Sequence, residues 1–67
     1  MYHIYKCVNS FTALRYDCDR HVKEGDLYLV GEAKNGYVSI EKLERDSRSF
    51  EIHEAVLKKQ FEKVTIQ

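Results

Sequence analysis

Residues 26–44 read DLYLVGEAKNGYVSIEKLE, and this stretch decides the fold. Asn35-Gly36 lies between two apolar runs. It is the strongest short hairpin signal, because a type I′ turn needs positive φ at both central residues. Before it, residues 26–33 place Tyr28 and Val30 opposite in face to Leu27 and Leu29. After it, residues 37–44 return with Val38 and Ile40 facing inward and Ser39 and Glu41 outward. Period-two alternation on both sides of an Asn-Gly pair predicts an antiparallel hairpin with one buried face.

Working outward from the hairpin, Glu24-Gly25-Asp26 is a turn cluster that closes a polar segment, TALRYDCDRHVKEG, at residues 12–25. That segment follows neither the helical nor the strand period and predicts a long connection. Its length in so small a domain marks it as a functional element. Residues 2–9, YHIYKCVN, predict a strand. Tyr2, Ile4 and Val8 share one face and Tyr5 and Cys7 the other, and both faces are partly apolar, so the inward one stays open. Downstream, Arg45-Asp46-Ser47-Arg48 forms a turn into a strand at residues 49–53, with Phe50 and Ile52 inside.

The last segment, EAVLKKQFEKV, has two readings. Leu57, Phe61 and Val64 recur at helical spacing. Alternatively, one helical turn over residues 56–60 precedes a strand at 62–66, and Val-Thr-Ile favours this second reading. The expected core is Ile4, Val8, Tyr28, Val30, Val38, Ile40, Phe50, Ile52, Phe61 and Val64.

Sixty-seven residues make a single domain spanning 1–67. A chain this short buries only about 60% of its unfolded surface, so a homodimer would lighten the demand on its core. The opening residues MYHIYKC show no basic region followed by an apolar run, and no stretch reaches the ~20 apolar residues of a membrane helix. A cytoplasmic protein with two reduced thiols is expected, with no membrane contact. Eleven basic and eleven acidic residues cancel. The positive excess that advertises a non-specific nucleic-acid binder is missing.

The spacing resembles that of the small SH3-like barrel proteins encoded in bacteriophage genomes. The resemblance rests on Lys6-Cys7-Val8, on the pattern V-x-x-G-x-x-Y-x-V from Val22 through Gly25 and Tyr28 to Val30, and on the Asn-Gly hairpin. Phe50-Glu51-Ile52 and Phe61-Glu62-Lys63-Val64 complete it. It covers nearly the whole chain. It departs at Ala55-Val56-Leu57, where that pattern carries a Pro, which keeps the helical alternative open. The resemblance implies a mainly β fold: a five-stranded SH3-like barrel with a short helical turn before the last strand. The alternative is an α+β fold with a C-terminal helix. It also implies a binding module directed at a host protein, and it transfers no catalytic residue.

Cys18-x-x-His21 has a zinc-compatible spacing, and Cys7 and His53 would have to converge on it. His3 and Cys7, four apart on a strand, stand roughly 13 Å from each other and cannot share an ion. Cys18 near His21 has the residue types of a thiol enzyme, yet Asp17 and Asp19 oppose thiolate formation. Glu41, Glu44 and Asp46 interleave with Lys42, Arg45 and Arg48 and read as a solvated, charge-paired face. The three glycines are too dispersed for a phosphate-binding loop. No cofactor, no metal and no catalytic residue is expected.

Tyr and Arg dominate interface hot spots, and Arg15, Tyr16 and Arg20 cluster on the long connection, with Tyr37 beside Lys34 on the hairpin. The expectation is a non-catalytic protein-interaction module that binds and modulates or inhibits a host protein, with Arg15, Tyr16, Arg20 and Tyr37 as its contact residues. The alternative is a small nucleic-acid-binding regulator, stacking bases on the same aromatics with help from Lys58, Lys59 and Lys63.

Overall fold

A computed structural model describes residues 2–14 and 19–65. It is mainly β, with strands β1 (His3–Cys7), β2 (Phe11–Ala13), β3 (Arg20–Val22), β4 (Leu27–Val30), β5 (Tyr37–Lys42), β6 (Phe50–His53) and β7 (Phe61–Lys63), and one helix, α1 (Glu54–Gln60). Five strands form an antiparallel sheet in the order β6-β5-β4-β1-β7, and β2 and β3 form a separate ribbon.

The hairpin at residues 35–36 forms as expected. Asn35 and Gly36 have φ of 55° and 84°, and Lys34 and Tyr37 exchange backbone hydrogen bonds of 2.7 and 3.0 Å around them. The polar segment does not stay irregular. Thr12 and Ala13 join Phe11 in β2 and pair with Arg20–Val22 of β3, with Phe11 opposite Val22 and Ala13 opposite Arg20. His3 opposite Val30 through Lys6 opposite Leu27 continue the same register, since every pair adds to the same number. β1–β2 and β3–β4 are therefore the two arms of one long hairpin, broken only where residues 8–10 face residues 23–25. Gly25, at φ 94°, donates its N–H to Cys7 O (2.8 Å), and Glu24 N–H donates to Ser10 Oγ (2.8 Å). These bonds satisfy the backbone at the break, beyond which Phe11 and Val22 of the ribbon pack against the core.

Register also settles the inward face of β1. Residues directly opposite in an antiparallel pair share a face. Tyr5 lies opposite Tyr28, and Cys7 opposite Phe61, so Tyr5 and Cys7 turn inward. Cys7 is fully buried, as is Ile40, while Ile4 and Val8 are only half-buried. The expected core is corrected accordingly. Cys7, Val22 and Leu57 join Tyr28, Val30, Val38, Ile40, Ile52 and Phe61, and Phe50 packs at its margin. Val64 is half-buried beyond the end of β7. Three edge-to-face contacts link Phe11, Phe61, Tyr28 and Phe50 in a chain, with ring centroids 5.7, 5.6 and 6.5 Å apart.

At the C-terminal end a helical segment precedes the last strand, and a C-terminal helix is not what forms. Helix α1 begins earlier than expected, because His53 caps it: its Nδ1 accepts from Ala55 N–H at 3.1 Å. Glu54 in the first turn and Lys58 and Lys59 in the last suit the helix dipole. Seven residues are too few for a helix to stand alone, and buried Leu57 anchors it to the core.

The sheet is not a closed barrel, and the expected closure is corrected here. β6 and β7 are its two free edges. Helix α1 sits between them in sequence, and Phe61 N–H, at the head of β7, is taken by Leu57 O. Among the described residues no helix is long and apolar enough to cross a membrane.

Candidate functional site

Two recesses lie beside β6, one towards each end, and each contains an expected contact residue. The first is a cleft of about 460 Å³ between the ribbon and the turn at residues 43–49. β3 presents Arg20 to it, and the Arg20 guanidinium carbon lies 5.6 Å from the centre of the Phe50 ring. This cation–π contact fixes a flat, charged group over an aromatic floor that continues into Tyr28. The Arg20 Nε is buried with no hydrogen-bond partner among the described residues.

Both signs of charge line the cleft, with Arg20, Lys42 and Arg48 against Asp19, Glu44 and Asp46. Lys42 is already engaged: its Nζ lies 3.1 Å from Glu44 and 3.4 Å from Asp26. The hydrogen bond to Glu44 and the nearby Asp26 push the lysine up, so it stays charged at any physiological pH. The turn is held by Ser47 Oγ donating to Lys42 O at 2.9 Å, with Asp46 in the left-handed region at φ 63°. Tyr28 is pushed up by burial first and by Asp26 second, so its phenol keeps its proton. The cleft offers a guanidinium, a phenol and an aromatic plane, with no ionised nucleophile among these groups.

The second recess, of about 200 Å³, lies at the other end of β6 between Phe11 and Leu14 on one side and Tyr37, His53 and Val56 on the other. Tyr37 stands opposite His53 in register, with the two rings edge-to-face at 5.3 Å. Two apolar side chains here face solvent, Leu14 at 78% and Tyr37 at 48% exposure.

Arg20 and Tyr37 thus flank one strand, since Phe50 and His53 are three residues, or about 10 Å, apart along β6. The expected contacts Arg15 and Tyr16 lie outside the described residues, as does Cys18. Phe50 borders the first recess and His53 and Leu14 the second, and none of the three was among the expected contacts. Phe50 reads as core from its alternation, and only Arg20 lying over it marks it as part of a surface.

The described residues that a metal site would have had to bring together stand apart. Cys7 is in the core, His21 Nδ1 is 3.1 Å from Thr12 Oγ1 on the ribbon, and His53 caps α1. Among the described residues no group of three or more His, Cys, Asp and Glu is placed to hold an ion. Burial pushes the Cys7 thiol up, more than the hydrogen bond it donates to Asn9 O (3.2 Å) lowers it, so it sits in the core as an uncharged apolar group.

No known protein family, curated protein or solved structure matches the chain.

Proposed function

We propose that this chain is a non-catalytic protein-interaction module that recognises its partner through the cleft between the ribbon and the turn at residues 43–49. The observation that carries this reading is Arg20 lying over Phe50 at the wall of that cleft. Arginine held against an aromatic ring loses little further freedom on binding and presents planar donors to a carboxylate or carbonyl. The surroundings suit a protein surface better than a polyanion. Acidic groups match the basic ones around the cleft, and the chain carries no net charge. Such a surface selects partners by shape and paired charges.

The resemblance to small phage-encoded barrels supports a host protein as that partner, met in the cytoplasm and modulated or inhibited by occupancy. Arg15 and Tyr16, which follow Leu14 in sequence, are proposed to extend the contact, with Tyr37 at its far end. The test is capture from bacterial lysate by the immobilised chain. One stoichiometric protein, lost on Arg20→Ala while the far-ultraviolet dichroism is unchanged, supports the reading. Capture of nucleic acid alone, with affinity collapsing in added salt, refutes it.

A further inference from the structure

We infer that Asn35 is a site of self-modification: the backbone nitrogen of Gly36 attacks its side-chain amide, and a single peptide flip within the intact hairpin admits the reaction. The reacting groups are adjacent and open to water. Asn35 is exposed, and Gly36 has no side chain to shield its nitrogen. Among the described residues no hydrogen bond holds the Asn35 side chain. The chemistry needs only water. Gly36 N–H gives its proton to hydroxide, and the nitrogen bonds to Asn35 Cγ. The Cγ–Nδ2 bond breaks, and the amide nitrogen leaves as ammonia after taking a proton from water. Water then opens the cyclic imide. Cleavage at Cγ leaves an aspartate. Cleavage at the main-chain carbonyl carbon leaves an isoaspartate, whose backbone runs through Cβ and Cγ.

The folded geometry decides when this happens. Positive φ at both Asn35 (55°) and Gly36 (84°), with Lys34 and Tyr37 bonded across them, defines a type I′ turn. Its first central residue has a ψ of about 30°. At that angle Gly36 N lies across the Cα–C bond from Asn35 Cβ, and the ring cannot close. Closure needs the nitrogen eclipsed with Cβ. For an L-residue that means a ψ of about −120°, the value at the first central residue of a type II′ turn. The two turns differ by a flip of the one peptide plane between residues 35 and 36. Among the described residues neither Asn35 C=O nor Gly36 N–H enters a backbone hydrogen bond, so the flip breaks none. The bonds that hold this end of the hairpin, Lys34 with Tyr37 and Glu54 N–H to Gly36 O, belong to the neighbouring peptides. Glycine accepts the new φ freely. Asparagine resists, because positive φ with that ψ is sparsely populated for a residue with a Cβ. The native turn therefore shields Asn35 without sealing it. The two products then act differently. Aspartate tolerates positive φ and keeps the turn. Isoaspartate adds a backbone carbon to a two-residue connection, and Lys34 and Tyr37 no longer pair.

The purified chain is aged at physiological temperature and neutral pH, digested and read by mass spectrometry, with isoaspartyl methyltransferase separating the two products. A peptide of residues 32–39, too short to hold the hairpin, is aged beside it as the unshielded reference. Both products are expected at position 35, forming about ten- to a hundredfold more slowly in the chain than in the peptide. Asn35→Gly stays folded and forms neither. Phe61→Leu, a core variant of lower global stability, converts at the parent rate, because the flip unfolds nothing. Should that variant lose its dichroism, the parent chain in urea below its unfolding transition makes the same comparison. Unmodified Asn35 after about a hundred peptide half-times overturns the inference. Conversion as fast as in the peptide overturns it too, since the turn would then shield nothing. Conversion that accelerates with falling global stability would assign the reaction to unfolding and overturn the flip.

Discussion

The edge-to-face chain through Phe61 makes a quantitative demand on stability. Phe61 touches Phe11 and Tyr28 with centroid distances of 5.7 and 5.6 Å and interplanar angles of 83° and 86°. Phe61→Leu keeps most of the apolar volume but removes both ring contacts, each worth about 0.5–1.5 kcal/mol beyond buried area. The expected loss is therefore about 1–3 kcal/mol. A chain of 67 residues has a total stability of about 3–10 kcal/mol, so this variant stays folded in water but melts at visibly lower urea. Far-ultraviolet dichroism follows the unfolding. A double-mutant cycle then isolates the ring pair. Phe11→Leu and Phe61→Leu together should cost less than their sum, by about 0.5–1.5 kcal/mol. A second cycle, Phe11→Leu with Phe50→Leu, pairs rings at opposite ends of the chain and should be additive. A coupling within about 0.3 kcal/mol of zero for Phe11 and Phe61 would show that the packing geometry contributes nothing beyond area.

The turn and the core thiol each give a further expectation. Gly36→Ala should destabilise by about 1 kcal/mol through its φ of 84° alone, because the added methyl meets only His53 Nε2 at an ordinary 3.6 Å. Gly31→Ala, free of that constraint and facing the exposed Tyr2 ring, should be close to neutral in the same thermal melt. Cys7 is protonated more readily folded than unfolded, so it contributes stability that is present below the ordinary thiol pKa and lost as pH rises through the folded value. Urea midpoints should fall on the alkaline side. Cys7→Ala should flatten the earlier part of that fall and leave the later part due to Tyr28, whose shift has the same sign. An unchanged profile in Cys7→Ala would sink the assignment.

The hairpin around Asn35-Gly36 was legible because its signals are local: a turn that only certain residues accept, between strands of unambiguous alternation. The short helix before the last strand was legible for the same reason. The face of β1 was not, since Tyr5 and Cys7 are no more apolar than Ile4 and Val8. Only pairing with Tyr28 and Phe61, far along the chain, decides between them. The ribbon was hidden because its strands are three residues each, too short to set a period, although Val22 is buried while Thr12 and His21 face solvent. Sheet closure failed for a further reason. Whether β6 and β7 meet depends on the arrangement of all five strands between them, which no local signal in the sequence carries. Of the surface beside β6, the sequence pointed to Arg20 and Tyr37 through residue type alone. Their common neighbour strand, and the role of Phe50 beneath Arg20, required the third dimension.

The unbroken numbering of the long hairpin has a consequence for how this molecule tolerates change in length. Among the described residues Ala13 and Arg20 are the outermost pair of the ribbon, and everything inward of them is pinned by a shared count. Residues inserted between those two positions would lengthen the excursion without shifting any partner inward of it. Doubling the span costs only about 0.6 kcal/mol of closure entropy. A single residue added on one side of the break near Gly25 would instead turn every side chain beyond it to the wrong face. Among the described residues, the Ala13–Arg20 end of the ribbon is thus where added sequence leaves the shared count intact, beside the recess that Leu14 lines.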